Sequence, residues 1–491
     1  MSEHTKFIKR VGLIGIVKFI VSLRGIILFP ILAKALGTAN YGIWSQILIT
    51  IGLALPFITL CLPETMVRFL AAKSEKKEVA KGIFTIVFFI LITAIISTAL
   101  LFLTSDYFAN ILLKDGSASI FVKVASLLII LGALNQASLE SFRVFGQIKR
   151  YSTLTILQTS LEFGLVLLLL SLGFGLMGVI AAFIIADAIV LLISLLLILS
   201  QTGFSLPDFS TLRPYLAFSL PLIPVGFFDT FINSSDRYII GFFKGASAVG
   251  IYSATYTIGI LVVIFIYPIS YILAPTIFKL FEDKQIDRVK VYLSYSLKYF
   301  LLLAIPSVFG LTILSKTILR SLATSEFILY NSMFIVLLVS LSAVFYGVQV
   351  IFEYILMLEK RTKFFMFAFG VGGIINLILN ILFVPYMGII GAALTTLIAY
   401  VAVAIIIYLE SRKYLRFKID FVFIAKSILA SVIMAVIVFL INPIGIVKIL
   451  LTVGVGAAVY LLILYLLKGF SSKELKIFGG ALVGENLSEK Y

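Results

Sequence analysis

The feature that most constrains this 491-residue sequence is a series of apolar runs, each long enough for a helix of about 20 residues to cross a bilayer. Hydrophobic residues make up 62% of the chain and charged residues only 13%, against roughly 45–50% and about 25% in soluble domains. A soluble domain cannot bury that much apolar surface. The composition therefore predicts a membrane protein and excludes soluble enzyme folds.

About fourteen such runs are predicted to span the membrane. They are expected to be helices, because a span in lipid must satisfy its own backbone groups and the alternating pattern of a β-barrel is absent. The predicted spans lie near residues 11–33, 43–63, 82–104, 120–141, 152–173, 176–199, 215–235, 249–274, 291–314, 329–352, 364–384, 388–409, 420–441 and 446–467.

The distribution of basic residues predicts how the protein is oriented in the membrane. A net charge of +16 would suggest a nucleic-acid partner in a soluble protein, but here most basic residues form short clusters between apolar runs, so no nucleic acid is expected. Most Lys and Arg fall in the connections on the same side as the N-terminus, which is the cytoplasmic side by the positive-inside rule. With an even number of spans, both termini are predicted to be cytoplasmic.

Several residue types that carry chemistry are scarce. The chain has one cysteine, Cys61, and one histidine, His4, which excludes a disulfide framework and makes a Cys/His metal cage improbable. It has no glycine-rich phosphate loop for ATP, and its connections leave no room for a catalytic domain outside the membrane. We therefore expect no catalytic residues, no metal, no cofactor and no enzymatic activity.

An internal repeat is visible when the sequence is shifted on itself by 208–213 residues. The shift aligns Gly37, Gly42 and Ser45 with Gly245, Gly250 and Ser253, and Gly175 and Gly178 with Gly388 and Gly391. Because it spans six helices, the two halves have the same orientation. This pattern predicts two parallel six-helix bundles around a central cleft, formed by residues 1–212 and 213–410, plus two extra helices and a tail in 411–491.

Charged residues near the middle of a span are costly and usually face a cavity or a partner. Arg24, Glu162 and Asp187 are the clearest cases. Arg24 can contact an anionic head group while both carboxylates respond to protons or cations, or the three can pair as a buried ionic brace. Asp229, in the proline-bent seventh span, is a third ion-coupling candidate, and the neutral Asn233 occupies the position that matches Arg24.

Three further residues complete the predicted head-group site. Lys18 and Lys298 lie near the cytoplasmic ends of their spans, where they can point inward as cationic groups or snorkel to water. Asn376 shares a helix face with Asn380 and can bind sugar hydroxyls or bridge helices. The predicted substrate-binding residues are thus Arg24, Lys18, Lys298, Asn233 and Asn376.

Two segments carry a resemblance to a known family. PLIPVGFFDTFINSSDRYIIGFFKGASAVGIYSATY (221–256) and ILFPILAKALGTANYGIWSQ (27–46) resemble bacterial flippases for lipid-linked O-antigen and capsule repeat units. These belong to the multidrug, oligosaccharidyl-lipid and polysaccharide exporter superfamily. Within the most specific string, residues 235–238, Arg237 can make an exit-side phosphate contact or a structural pair with Asp236.

The resemblance implies translocation of an undecaprenyl-diphosphate-linked oligosaccharide across the bacterial inner (plasma) membrane by alternating access. It also implies membrane lipids, a polysaccharide polymerase and a chain-length regulator as partners. Two alternatives stay open at this point. One is a cation-coupled multidrug or metabolite antiporter of the same superfamily, and the other is a membrane polysaccharide polymerase or ligase.

Overall fold

The computed structural model describes residues 3–70, 73, 75–328 and 331–470, with side chains from Arg24 onward except at positions 26, 225 and 229. In these ranges, twelve helices are long and apolar enough to cross a membrane. The chain is therefore a multi-pass membrane protein, and the predicted all-α fold class is confirmed.

The helices follow one another with short connections. In chain order they are α1 (Glu3–Thr59), α2 (Leu62–Leu70), α3 (Lys76–Leu103), α4 (Ser105–Phe108), α5 (Ser119–Ala125), α6 (Leu127–Val144), α7 (Ile148–Ser171), α8 (Gly175–Thr202), α9 (Leu212–Ser219), α10 (Ile223–Lys244), α11 (Ala246–Gly259), α12 (Ile266–Glu282), α13 (Ile286–Leu322), α14 (Ser332–Leu358), α15 (Lys363–Ser411), α16 (Phe421–Ile441) and α17 (Ile446–Leu466).

Two long helices explain why about fourteen spans were predicted and twelve helices are counted. α1 and α15 each contain two predicted spans, and each changes direction at a glycine. Gly37 has φ 69° and ψ −179°, and Gly388 has φ 59° and ψ −139°. Positive φ at these values favours glycine, because a Cβ would be strained there.

The two repeats meet where the second part of α1 crosses α11. A Cβ added to Gly42 would lie 1.9 Å from the carbonyl oxygen of Ala246, and one added to Gly250 would lie 2.0 Å from the carbonyl oxygen of Thr38. Both glycines thus let a backbone approach closely, as small residues do at membrane helix crossings. Each contact maps onto the other under the 208-residue shift, so we call this pair of contacts the reciprocal glycine crossing.

A hydrogen bond extends the same symmetry. The hydroxyl oxygens of Ser45 and Ser253 lie 2.7 Å apart, and these residues are also separated by 208 positions. Gly245, directly before α11, has φ 81° and ψ 177°. These angles are similar to the φ of 69° and ψ of −179° at its counterpart Gly37. The repeat predicted from the sequence therefore has a structural counterpart at this crossing.

The contacts divide the chain into two compact units. Unit 1 comprises Met1–Thr257, Leu322–Ile328 and Lys363–Ala399, and unit 2 comprises Ile258–Ser321, Leu329–Thr362 and Tyr400–Tyr491. In unit 2, α16 and α17 share an apolar core with α13. The domain limits 1–212, 213–410 and 411–491 stay a prediction.

Candidate functional site

The first polar cluster of unit 1 is centred on Arg24 of α1. The Arg24 guanidinium donates a hydrogen bond to the carboxylate of Glu162 on α7 and lies 5.6 Å from the ring centroid of Phe183. Glu162 is only 2% exposed, whereas the Arg24 side chain is 33% exposed. Glu162 thus has the cationic partner that a buried carboxylate needs, while the Arg24 side chain stays partly exposed and carries more donors than this one bond uses.

Asp187 of α8 lies in the same cluster. Its carboxylate accepts a hydrogen bond of 2.6 Å from the amide nitrogen of Gln158 on α7, and its backbone carbonyl accepts one of 2.9 Å from Asn135 on α6. Asp187 is 7% exposed. Because Gln158 is four residues before Glu162, both side chains lie on one face of α7.

We call Arg24, Asn135, Gln158, Glu162 and Asp187 the Arg24 cluster. The structure brings together the three mid-span charges found in the sequence, and Arg24 pairs with Glu162 as an ionic brace would require. The roles of Arg24 in head-group binding and of Glu162 and Asp187 in ion coupling stay predictions.

A second cluster of unit 1 surrounds Asp236 of α10. Its carboxylate, which is fully buried, accepts hydrogen bonds from the hydroxyls of Tyr252 and, at 3.4 Å, Thr396. The Arg237 guanidinium lies 3.3 Å from Asp236 and donates a 3.2 Å bond to the hydroxyl of Ser253. Asp236 and Arg237 thus form the structural pair that was one of the two sequence interpretations.

Two predicted head-group residues flank this second cluster. The hydroxyl of Ser235 donates a 2.8 Å hydrogen bond to the side-chain oxygen of Asn376, which also accepts one of 2.9 Å from Asn380. Asn376 and Asn380 are fully buried, so this contact bridges α10 and α15. Asn233 accepts a 2.8 Å bond from Arg237 at its backbone carbonyl. The binding roles of Asn233 and Asn376 stay predictions.

The remaining predicted residues lie elsewhere. The Lys298 ammonium, in unit 2, is 4.9 Å from the ring centroid of Phe423 on α16. Lys18 and Asp229 lie outside the described side chains. Across the part of the chain that the structure describes, no group of three or more His, Cys, Asp or Glu is placed to hold a metal ion.

Comparison with known families decides the assignment. The family model described as "Polysaccharide biosynthesis protein" matches residues 7–281. The chain belongs to the polysaccharide biosynthesis family. The model of the MatE family also matches residues 221–382, and together these findings confirm the family and superfamily expected from the sequence.

Two curated relatives of this family member come from Haloferax volcanii. It is 22% identical to "Probable low-salt glycan biosynthesis flippase Agl15" over 239 residues, which cover 49% of this chain and 50% of the relative. It is 31% identical to "Probable flippase AglR" over 237 residues, which cover 46% of this chain and 48% of the relative. The chain thus spans about half the length of the curated relatives that it matches.

Solved structures show the fold of this family member. It superposes on "Lipid II flippase MurJ, inward closed conformation" with a TM-score of 0.77 and 18% identity, covering 91% of this chain and 97% of the other. For an inward-facing multidrug resistance MATE family transporter, the TM-score is 0.63 and the identity 14%, with 80% and 97% covered. These relatives are named as flippases and transporters, which agrees with the expectation of a non-enzyme.

Proposed function

We propose that this member of the polysaccharide biosynthesis family is a flippase that moves a lipid-linked oligosaccharide across the membrane by alternating access. The observation that carries this proposal is the partly exposed side chain of Arg24, whose guanidinium is held by the buried Glu162 carboxylate. An undecaprenyl-diphosphate head group needs charge-assisted donors once it leaves water, and a guanidinium matches phosphate oxygens in geometry and charge. The Haloferax relatives are both named as flippases, and the name of one, a glycan biosynthesis flippase, supports a glycan as the cargo.

The charges of the Arg24 cluster also suggest how transport is coupled. When Glu162 and Asp187 are both ionised, they outnumber the single cation Arg24. An anionic head group then binds better after one carboxylate takes up a proton or a cation. This balance supports Glu162 and Asp187 as ion-coupling residues.

We also propose the location, substrate and partners that the sequence led us to expect. The protein resides in the inner membrane with both termini in the cytoplasm. Its substrate is an O-antigen, capsule or exopolysaccharide repeat unit, which a polymerase and a chain-length regulator use after translocation. These finer statements rest on the resemblance and on the distribution of basic residues between spans.

The decisive experiment measures flipping of a lipid-linked oligosaccharide in proteoliposomes. Arg24→Ala alone leaves Glu162 buried without its cation, which costs about 3–5 kcal/mol when a buried pair is broken. We therefore also test the double variant Arg24→Ala/Glu162→Gln, which removes both charges. Lys34→Ala, an exposed position on the same helix, is the matched control.

We expect Arg24→Ala and the double variant to lose flipping, while Lys34→Ala keeps the wild-type rate. The double variant should retain the wild-type abundance and unfolding temperature better than Arg24→Ala. Flipping by a well-folded double variant at the wild-type rate would remove Arg24 from the substrate path.

The MatE match to residues 221–382 favours a second candidate, a cation-coupled multidrug or metabolite antiporter. The same proteoliposomes distinguish the two functions. An antiporter exchanges a cationic dye for protons or sodium and leaves the lipid-linked sugar in its original leaflet. A flippase moves the lipid-linked sugar to the other leaflet and does not exchange the dye.

A further inference from the structure

A crevice opens between α3 and the helix pair α5–α6 in unit 1. Its volume is about 460 Å³, which is within the range of small-molecule sites. It forms where α5 ends at Ala125 and α6 begins at Leu127, with Thr98 of α3 donating a 3.3 Å hydrogen bond to the carbonyl of Ser126 at this break. The apolar lining consists mainly of Ile95, Ala99, Phe102, Ile120, Leu127 and Ile130.

The lining residues indicate that the crevice is filled from the lipid bilayer and not from water. Ile95, Phe102, Ile120 and Leu127 are each about half exposed, although they lie in two of the apolar spans. The hydroxyls of the lining are already satisfied, because Thr98 and Ser126 each donate to a backbone carbonyl. Apart from Lys123, the crevice therefore presents apolar surface towards hydrocarbon, which suits an acyl chain from the bilayer.

One end of the crevice carries both signs of charge. Lys123, which belongs to the lining, lies with its ammonium 3.1 Å from the carboxylate of Asp106, and their side chains are 31% and 65% exposed. Asp106 also accepts a hydrogen bond from Ser119. Hydrogen bonds from Ser119 and Lys123 hold the pKa of Asp106 below its ordinary value of 3.8, so the carboxylate is ionised at neutral pH.

An accessible pair of opposite charges complements a head group that is itself zwitterionic. The phosphate of such a lipid can accept from Lys123 while its ammonium donates to Asp106, with charge-assisted hydrogen bonds on both sides. A purely anionic head group would instead meet the Asp106 carboxylate unfavourably.

From this geometry we propose that the crevice is a binding site for phosphatidylethanolamine, with one acyl chain between α3 and α5–α6 and the head group on Lys123 and Asp106. The site is separate from the Arg24 cluster, and the proposal does not depend on transport activity.

The first experiment tests whether an acyl chain of the lipid occupies the crevice. The full-length protein is exchanged into detergent with equal amounts of phosphatidylethanolamine and phosphatidylglycerol, and retained lipid is counted by native mass spectrometry. Ala99→Phe fills the crevice from an exposed position, and Ile96→Phe, which is also exposed but lies outside the lining, is the matched control. Excluding about two methylenes should lower phosphatidylethanolamine retention roughly tenfold in Ala99→Phe. Ile96→Phe should retain as much as wild type.

Equal retention by Ala99→Phe and wild type would overturn the chain assignment. Because both positions are exposed to lipid, unfolding temperatures near that of wild type are expected and are measured in parallel.

The second experiment tests the head group. Wild type should retain phosphatidylethanolamine in preference to phosphatidylglycerol, and Asp106→Asn should abolish that preference. Lys123→Gln should lower retention of both lipids, because it removes the phosphate donor. A wild type that retains the two lipids equally, or that prefers an undecaprenyl phosphate probe to both, would overturn the proposal.

Discussion

The reciprocal glycine crossing makes a sharp prediction for Gly42→Ala. The new methyl would lie 1.9 Å from the carbonyl oxygen of Ala246 and 2.9 Å from the backbone nitrogen of Gly250, whereas carbon–oxygen contacts between helices are normally about 3.3–3.6 Å. α1 and α11 must therefore separate by more than 1 Å, by roughly the difference between these distances. That movement stretches the 2.7 Å bond between Ser45 and Ser253 beyond hydrogen-bonding distance.

The substitution therefore lowers the free energy of unfolding in two ways, by overpacking the helix crossing and by breaking one hydrogen bond. Overpacking of a well-packed contact costs about 1–3 kcal/mol, and an interhelical hydrogen bond in a membrane protein contributes about 0.6 kcal/mol. Gly52→Ala is the matched control, since it lies in the same helix and its added Cβ meets nothing within 4 Å. The free energy of unfolding of Gly42→Ala should therefore fall about 2–3 kcal/mol below that of Gly52→Ala.

The measurement is unfolding of the purified protein in mixed micelles by titration with sodium dodecyl sulfate, followed by circular dichroism. Gly250→Ala should behave as Gly42→Ala does. The two changes should also be non-additive, because either one already separates the helices. If Gly42→Ala were as stable as Gly52→Ala, or if the two crossing variants added fully, the crossing would not be the tight contact described here.

Two other predictions concern stability. Hydrogen bonding from Lys81 lowers the pKa of Asp208 from 3.8 to about 2, so this contact stabilises the protein above about pH 4 and is lost as the pH falls towards 2. The unfolding temperature of Asp208→Asn should therefore lie below that of wild type at neutral pH, and the difference should shrink between about pH 4 and pH 2. A difference that stays constant over this interval would contradict the prediction. Gly347→Ala places a Cβ 2.1 Å from the ring of Phe300 and should cost about 1–3 kcal/mol in the same unfolding titration, whereas Gly454→Ala, with open space around it, should cost nothing.

The number and position of the spans could be predicted because lipid imposes one length and one secondary structure on each apolar run. The direct kinks at Gly37 and Gly388 could not. The sequence placed Gly37 between two predicted spans and Gly388 at the first residue of a predicted span, whereas the structure joins the two spans directly at each glycine, where the backbone leaves helical φ and ψ. Glycine is compatible with a loop and with a kink, so the residue type alone does not distinguish them.

The Arg24 cluster was partly predictable because charges in apolar spans are rare and each needs a partner. Arg24, Glu162 and Asp187 stood out for that reason, while Gln158 and Asn135 carried no comparable signal. The Asp236 cluster was harder to foresee, since Thr396 is 160 residues away from Asp236 in the chain. Only the three-dimensional arrangement of α10, α11 and α15 brings these groups together.

The reciprocal glycine crossing has the geometry of an isologous interface, in which residue i of one copy meets residue j of the other and j meets i. Here both copies belong to one polypeptide. A half-length chain carrying this patch would therefore have what it needs to pair with itself about a two-fold axis. Joining two such halves in one polypeptide removes the entropic cost of association and lets each half carry different residues at matching positions, as Arg24 and the neutral Asn233 do.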